Sequence, residues 1–404
     1  MAGIRKIENK SGKISYQLIA YTGYDENGKQ LTKTKVWKPE KGLTARQAKK
    51  EAIVEAEKFQ KAVISGQYSD KKVTFSEYSN HWLNIKKATF APITFAKYET
   101  LLIRINKALG HKRMDFITPN DLDLLYSNLR EIKSEKTGKP LSPQTIKHYH
   151  SCIRAVFAFA QKKGIVTSNP AFRADAPTVD KKEPMHFDYA QARRFVEALQ
   201  SEVDLRKQAA FTLLIYSGIR IGELCGLQWE DLDFDKCTIK IQRTSQFAKG
   251  QGIITKTPKN RTSSRTVKLP ATVFDTLRSY RAWYNEQRLS LGDKWIESGR
   301  LFVQWNGKPI TPSALNKWLD AIIQAHGLPR ITPHGLRHTN ISLLIANGVD
   351  IRTVANKAGH SRTSTTTDIY AHAIQAAEEA ATEVLDTILT PKPNRNVNQC
   401  LANA

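Results

Sequence analysis

Four side chains between Thr332 and His372 are of types that can act together: His334, Arg337, His360 and Tyr370. His334 and Arg337 stand at i,i+3, so one turn of helix presents an imidazole and a guanidinium to the same point. Thr332 fits the cap of that helix and Pro333 its first turn, while Gly359 suits the C-terminus of a later one. The whole stretch, TPHGLRHTNISLLIANGVDIRTVANKAGHSRTSTTTDIYAH, reads as helix, turn, helix, turn, helix. A guanidinium fork matches phosphate oxygens. A phenol attacks phosphorus once its proton is removed. The pair His334 and His338 stands at i,i+4 and in another setting would grip zinc. Here no acidic base lies between them, and Arg337 would repel the ion.

Elements upstream must position these groups. Asp188 and Gln191 form a capping box that opens the last region of the chain. The run Leu205 to Tyr216, containing AAFTLLIY, reads as a buried helix that breaks at Ser217-Gly218. Arg220 emerges just after the break, with Glu223 three residues on; by itself such an arginine is an ordinary surface residue, and Glu223 its local partner. Three short β-like runs follow, Thr238–Gln242, Gly252–Lys256 and Arg265–Leu269, and the loop joining the last two, TPKNRTSSR, is basic. Lys256 and Lys259 both stand at its start. Residues 373–389 read as an Ala-rich amphipathic helix, and residues 391–404 as a flexible polar tail.

The first part of the chain is organised differently. Ile14 to Tyr24 and Lys29 to Trp37 read as strands joined by the turn Asp25-Glu26-Asn27-Gly28. Thr44 and Gln47 cap a helix with Ala45, Ala48, Ala52, Ala56 and Phe59 on one side. The second strand places Lys29, Leu31, Lys33, Lys35 and Trp37 on one face; that basic face suits a DNA groove or a lysine-protected sheet edge. Residues 65–72 read as a linker. From Val73 to about Ala171 the pattern is helical, with stripes such as Phe95, Tyr98, Leu101, Ile105 and Leu109, and implies a bundle of about four helices. Its basic residues, among them Lys86, Lys97, Arg104, Lys112, Arg113, Lys147 and Arg154, lie mostly off those stripes. Residues 172–186 read as an interdomain linker.

Composition narrows the partner. Lys plus Arg number 62 against 38 Asp plus Glu, a net charge of +24, which favours a polyanion, nucleic acid first. No apolar run approaches the roughly 18 residues that span a bilayer, and the N-terminus lacks a signal peptide's apolar core. Cys152, Cys225, Cys237 and Cys400 show no metal spacing and read as free thiols in a reducing, cytoplasmic compartment.

Taken in order, SGIRIGEL, K-T before a basic loop, HGLRH, AGH and DIY resemble the signature of the tyrosine recombinases of the phage-integrase type. The resemblance covers roughly residues 187–390, and His360 to Tyr370 is one residue longer than the shorter family spacing. It implies a multidomain α+β protein: a small N-terminal sheet-plus-helix domain for arm-type DNA (1–64), a helical core-binding domain (73–171), and a mainly α catalytic domain with a small antiparallel sheet (187–390). It also implies the site. Arg220 and Arg337 neutralise the phosphoryl oxygens, Lys256, at a hairpin tip, protonates the leaving 5′-oxygen, and His334 exchanges a proton near Tyr370, the nucleophile. His360 bonds a phosphate oxygen, and Glu223 holds the cations in place. No cofactor or metal is expected. The implied partners are double-stranded DNA bearing core-type and arm-type attachment sites, three further copies of the chain, an excisionase and a host DNA-bending protein, in a bacterial cytoplasm. Two other readings remain: relaxation of DNA in the manner of a type IB topoisomerase, and a DNA-binding regulator with a degenerate site.

Overall fold

The computed structural model describes residues 2–8, 14–24, 28–40, 42–64, 73–134, 137–180, 185–248, 250–256, 264–359, 367, 370 and 389. The chain divides into two compact units, Met1–Lys181 and Lys182–Ala404. The division falls within the stretch read as an interdomain linker. The linker 65–72, the helix 373–389 apart from Leu389, and the tail 391–404 lie outside the described residues, as do turn residues 25–27.

The first unit holds two hydrophobic cores. One lies between an antiparallel sheet, β1 (Gly3–Glu8), β2 (Ile14–Tyr24) and β3 (Gln30–Trp37), and the helix α1 (Ala45–Ile64). Strand β1 was not foreseen, because its sequence GIRKIE has too few apolar positions to declare an alternation. Thr44 and Gln47 make the capping box, and Ala48, Ala52, Ala56, Phe59 and Val63 are the buried stripe of α1. Ala45 is exposed instead. The register sets which side of the sheet the lysine face of β3, an edge strand, takes. Lys33, Lys35 and Trp37 stand opposite Ala20, Leu18 and Tyr16, the buried residues that α1 covers, and Trp37 packs on Tyr16 with ring centroids 6.1 Å apart. Strand pairs directly opposite share a face, so those lysines lie on the helix side of the sheet. The open face carries Arg5, Gln17, Tyr21, Thr32, Thr34 and Val36.

The second core is a bundle of α2 (Phe75–Lys86), α3 (Pro92–Leu109), α4 (Pro119–Glu131) and α5 (Pro143–Lys162). Three of the four begin as their sequences demand, with Thr74, Thr118 and Ser142 accepting N-cap bonds. The expected stripes are inside, although Phe95 and Tyr98 are only partly buried. Trp82, fully buried, meets Phe90 and Tyr98 edge-on at 5.7 and 5.2 Å. Some of the basic residues are engaged within the bundle: Arg104 donates to Tyr149 Oη, and Lys112 and Arg113 pair with Asp121 and Asp115.

The second unit is built around α7 (Leu205–Ser217), which packs against α6 (Tyr189–Gln200), α8 (Ile221–Leu224), α9 (Ala271–Leu291), α10 (Pro312–Ala325) and α11 (Pro333–Ala346). The helix α12 (Ile351–Ala358) packs on α11. Two small antiparallel sheets complete it: β4 (Leu232–Asp233), β5 (Thr238–Ile241) and β8 (Arg265–Lys268) in one, β6 (Thr244–Ala248) and β7 (Gly252–Lys256) in the other. This corrects the expected strand pairing. β7 does not pair with β8; it pairs with β6, whose polar sequence TSQFA gives no strand signal, and β8 pairs with β5.

Replacing Trp82 with Ala is expected to cost the bundle about 3–5 kcal/mol. Ile85→Ala, at a position 45% exposed on the same helix, is expected to stay within about 0.5 kcal/mol of wild type. Urea unfolding of the two variants in parallel checks the contrast.

Candidate active site

Gly218 ends α7 in the left-handed conformation at φ 65°, and the chain turns there to expose Arg220. A Cβ at Gly218 would also come within 2.6 Å of Asn340 Oδ1. Asn340, on α11, donates to the carbonyls of Ile215 and Tyr216, so the end of α7 is locked to the helix that carries His334 and Arg337. That helix starts as predicted, with Thr332 accepting from the Gly335 amide and Pro333 in the first turn. Gly335 is needed for space: a Cβ there would meet Ile331 at 2.5 Å and the Met185 carbonyl at 2.7 Å.

Glu223 is 5% exposed. Its Oε2 accepts from the Arg220 amide at 2.9 Å and its Oε1 from Arg220 Nη1 at 3.1 Å. Arg265, at the start of β8, donates Nη2 to Oε2 at 2.9 Å and Nη1 to Oε1 at 3.3 Å. Both arginines also reach the C-terminal end of α12, where Arg220 Nη2 donates to Gly359 O and Arg265 Nε to Lys357 O. These carbonyls lack partners within the helix and sit at its negative end, so cations suit them. Burial alone would raise the Glu223 carboxyl's pKa. The Arg265 guanidinium, then the Arg220 amide and guanidinium, outweigh it and hold the group below the usual carboxylate range. Arg265 was not foreseen as a site residue; the sole signal was its place at the head of RTVKL after the basic loop.

Arg337 is 1% exposed and donates Nη1 to the Gly218 carbonyl at 2.7 Å. Burial, then the charge of Arg220, push its pKa down to about 10. It therefore stays protonated at neutral pH in a site short of negative charge. Burial, then Arg337 and Arg220, lower the pKa of His334. Tyr370 is fully buried among Ile341, Ile345, Val354 and Ala358. Its hydroxyl lies 2.5 Å from His338 Nδ1, and the His338 ring stands edge-on to that of His334 at 4.5 Å between centroids. Thus His338, weighed in sequence only as a metal ligand, is the group that meets the phenol, and His334 stands behind it. Burial raises the Tyr370 pKa, with Arg337 opposing.

Lys256 ends β7, directly opposite Thr244. Thr244 lies so close to α8 that a Cβ at Gly222 would be 2.7 Å from its hydroxyl, which brings this end of the hairpin beside Arg220. Lys259 and His360 lie outside the described residues. The structure therefore brings Arg220, Glu223, His334, Arg337 and Tyr370 into one cluster.

Residues 186–376 match the Phage integrase family, and residues 74–129 its N-terminal SAM-like domain. A "Tyrosine recombinase XerC-like" protein of Caldanaerobacter subterraneus subsp. tengcongensis is 30% identical over 94% of this chain and 97% of its own length. The chain is a tyrosine recombinase of the phage integrase family. Such enzymes cleave and rejoin DNA strands. The fold agrees: the Tn1549 transposon integrase, solved in complex with a circular intermediate DNA, aligns with a TM-score of 0.64 at 23% identity, over 78% of this chain and 99% of the other. A lambda integrase tetramer bound to a Holliday junction aligns with a TM-score of 0.52 at 17% identity, over 90% and 95%. Among the described residues no helix of this recombinase is long and apolar enough to cross a membrane.

Removing the Glu223 carboxylate takes away the anion that faces the buried Arg265 guanidinium. Glu223→Ala is expected to destabilise the recombinase by about 3–5 kcal/mol, measured by chemical unfolding. Because the folded pKa is depressed, the pair's contribution is present above the unfolded value near 4.5 and is lost as pH falls through the lower folded value. The difference between wild type and variant should shrink over that acid interval.

Proposed function

We propose that this recombinase is the integrase of a phage or conjugative transposon. It cuts double-stranded DNA at core-type sites through a 3′-phosphotyrosyl bond to Tyr370 and rejoins strands through a Holliday junction, as a homotetramer. The observation that carries the reading is the grouping of one phenol with a histidine on its hydroxyl and two guanidiniums, Arg220 and Arg337, within mutual electrostatic reach. A regulator that only grips phosphate has no use for the phenol.

Each residue then has a task. Arg337, held by the Gly218 carbonyl, and Arg220, whose side chain is 41% exposed, take the non-bridging oxygens, where charge grows in the transition state. The Tyr370 oxygen attacks phosphorus as its proton passes to His338 Nδ1. His334, uncharged at neutral pH, serves as the proton exchanger on the phosphate side. Lys256 gives a proton to the departing 5′-oxygen, and His360 bonds a phosphate oxygen. The arginines and lysine supply the cationic charge, so we assign the reaction to metal-free transesterification. Attack by a freed 5′-hydroxyl on the phosphotyrosine reverses it without an outside energy source.

The domain assignment follows the cores. Residues 1–64 take arm-type DNA, 73–171 clamp the core site, 187–390 perform catalysis, and 391–404 form a tail. An excisionase and a host DNA-bending protein are the further partners. The solved integrases named above, one on a circular transposon intermediate and one as a tetramer on a junction, support this reading.

Nicked duplexes carrying candidate core sites, incubated with EDTA, are expected to yield a covalent 3′ adduct with wild type and none with Tyr370→Phe. Adduct formation that needs added metal, or that survives the substitution, overturns the assignment. The pH profile supplies a second check. Because His334 is held below its ordinary value of 6.5, cleavage by the free enzyme should fall on acidification with a midpoint below that value. His334→Gln should remove this limb from kcat/KM.

A further inference from the structure

The hairpin β6–β7 pairs with no other strand among the described residues, yet its last residue is Lys256. Something other than a sheet must set where that end lies. Strand alternation gives the geometry: Thr255 and Lys256 project from opposite faces, so the side of the hairpin bearing Thr255 is the side by which Lys256 can be aimed. On that side Thr255 Oγ1 meets Ser245 Oγ across the hairpin at 3.0 Å. Its other partner is Arg300, whose Nη2 donates to the same hydroxyl.

Arg300 is well placed to be a fixed point. Its backbone forms a bridge with Gln228, and the flanking amides of Trp229 and Leu301 donate to the Gly299 and Leu227 carbonyls. The guanidinium's Nη1 donates to the Gly226 carbonyl at 2.7 Å, immediately beyond the turn that carries Arg220 and Glu223. One guanidinium thus spans the segment after α8 and the penultimate residue of β7. Beside it, Arg243, at the start of the hairpin, is fastened to Gln228, Glu230 and Asp231. The root of the hairpin is therefore tied at two arginines, and only Arg300 reaches the strand that ends in Lys256.

We propose that Arg300 is a positioning residue that latches β7 to the Arg220 turn through Thr255 and thereby aims Lys256 at the leaving oxygen. The inference rests on the reading of Lys256 as the proton donor. It assigns Arg300 no contact with DNA and no part in phosphoryl charge stabilisation. A lysine cannot replace it, because a single ammonium on one stem does not span Gly226 O and Thr255 Oγ1 as the planar fork does.

The experiment compares single-turnover cleavage of ordinary nicked duplexes with duplexes bearing a 5′-bridging sulfur at the scissile position. A thiolate departs without a proton, so the sulfur substrate bypasses any defect in protonating the leaving group. Arg300→Ala, Arg300→Lys and Thr255→Val are each expected to slow cleavage of ordinary DNA, by on the order of 10- to 100-fold for misplacement of a catalytic group. All three should regain near-wild-type rates on the sulfur substrate. Thr255→Ser, which keeps the hydroxyl, should cleave both substrates as wild type does. Arg220→Ala should remain slow on both. If Lys256→Ala is rescued by sulfur and the Arg300 variants are not, the latch is wrong while the proton-donor reading stands. If Lys256→Ala itself is not rescued, the reading beneath the latch fails. Wild-type rates for Thr255→Val on ordinary DNA would also overturn the proposal.

Discussion

One buried carboxylate organises this site. Arg220, Arg265 and Arg337 converge, and Arg220 and Arg265 hydrogen bond to Glu223. Like charges brought together repel, and Arg220 and Arg265 both act to lower the pKa of Arg337. An anion on the protein offsets that repulsion. Glu223 does this from α8, bonding the amide and guanidinium of the arginine that begins the same turn. The cationic field that results is partly open, because Arg220 still faces solvent.

That carboxylate is also where distant segments meet. Arg265 comes from the strand after the basic loop, and the carbonyls that accept from it and from Arg220, those of Lys357 and Gly359, lie at the end of α12. Gly359, at φ 69°, leaves space for the guanidinium: a Cβ there would lie 2.5 Å from Arg265 Nη1. The glycine of A-G-H thus serves two ends, closing the helix and admitting the arginine. The same economy appears at Gly218, whose left-handed turn exposes Arg220 while its carbonyl anchors Arg337. Helix ends, with their unpaired carbonyls, serve here as sockets for guanidinium groups.

Tyr370 borders this field from an apolar pocket. Tyr370 packs into an apolar cluster of α11 and α12 and meets His338 through its hydroxyl and its ring. Burial favours the protonated phenol, and His338, edge-on to His334, stands at its hydroxyl. The turn spacing of the helix brings His334 and His338 together.

The sequence alone determined what local physics controls. The caps at Thr44, Asp188 and Thr332, the stripes of α1 and α3, the breaks at Gly218 and Gly359, and the family membership were legible because each depends on neighbours within a few residues, or on motifs read in order. Arg220, Glu223, His334, Arg337 and Tyr370 were named from those motifs. Only the tertiary structure decided which strands pair: β7 with β6 and β8 with β5, because short polar strands carry no alternation and their partners are chosen by the body they rest on. It decided that the lysines of β3 share a face with the α1-covered core, since register, not composition, assigns faces. It decided, too, that His338 meets the phenol and that Arg265 completes the clamp on Glu223. A hydrogen bond across 32 or 42 residues of sequence leaves no mark on either partner's local pattern, so its existence is a property of the packed chain.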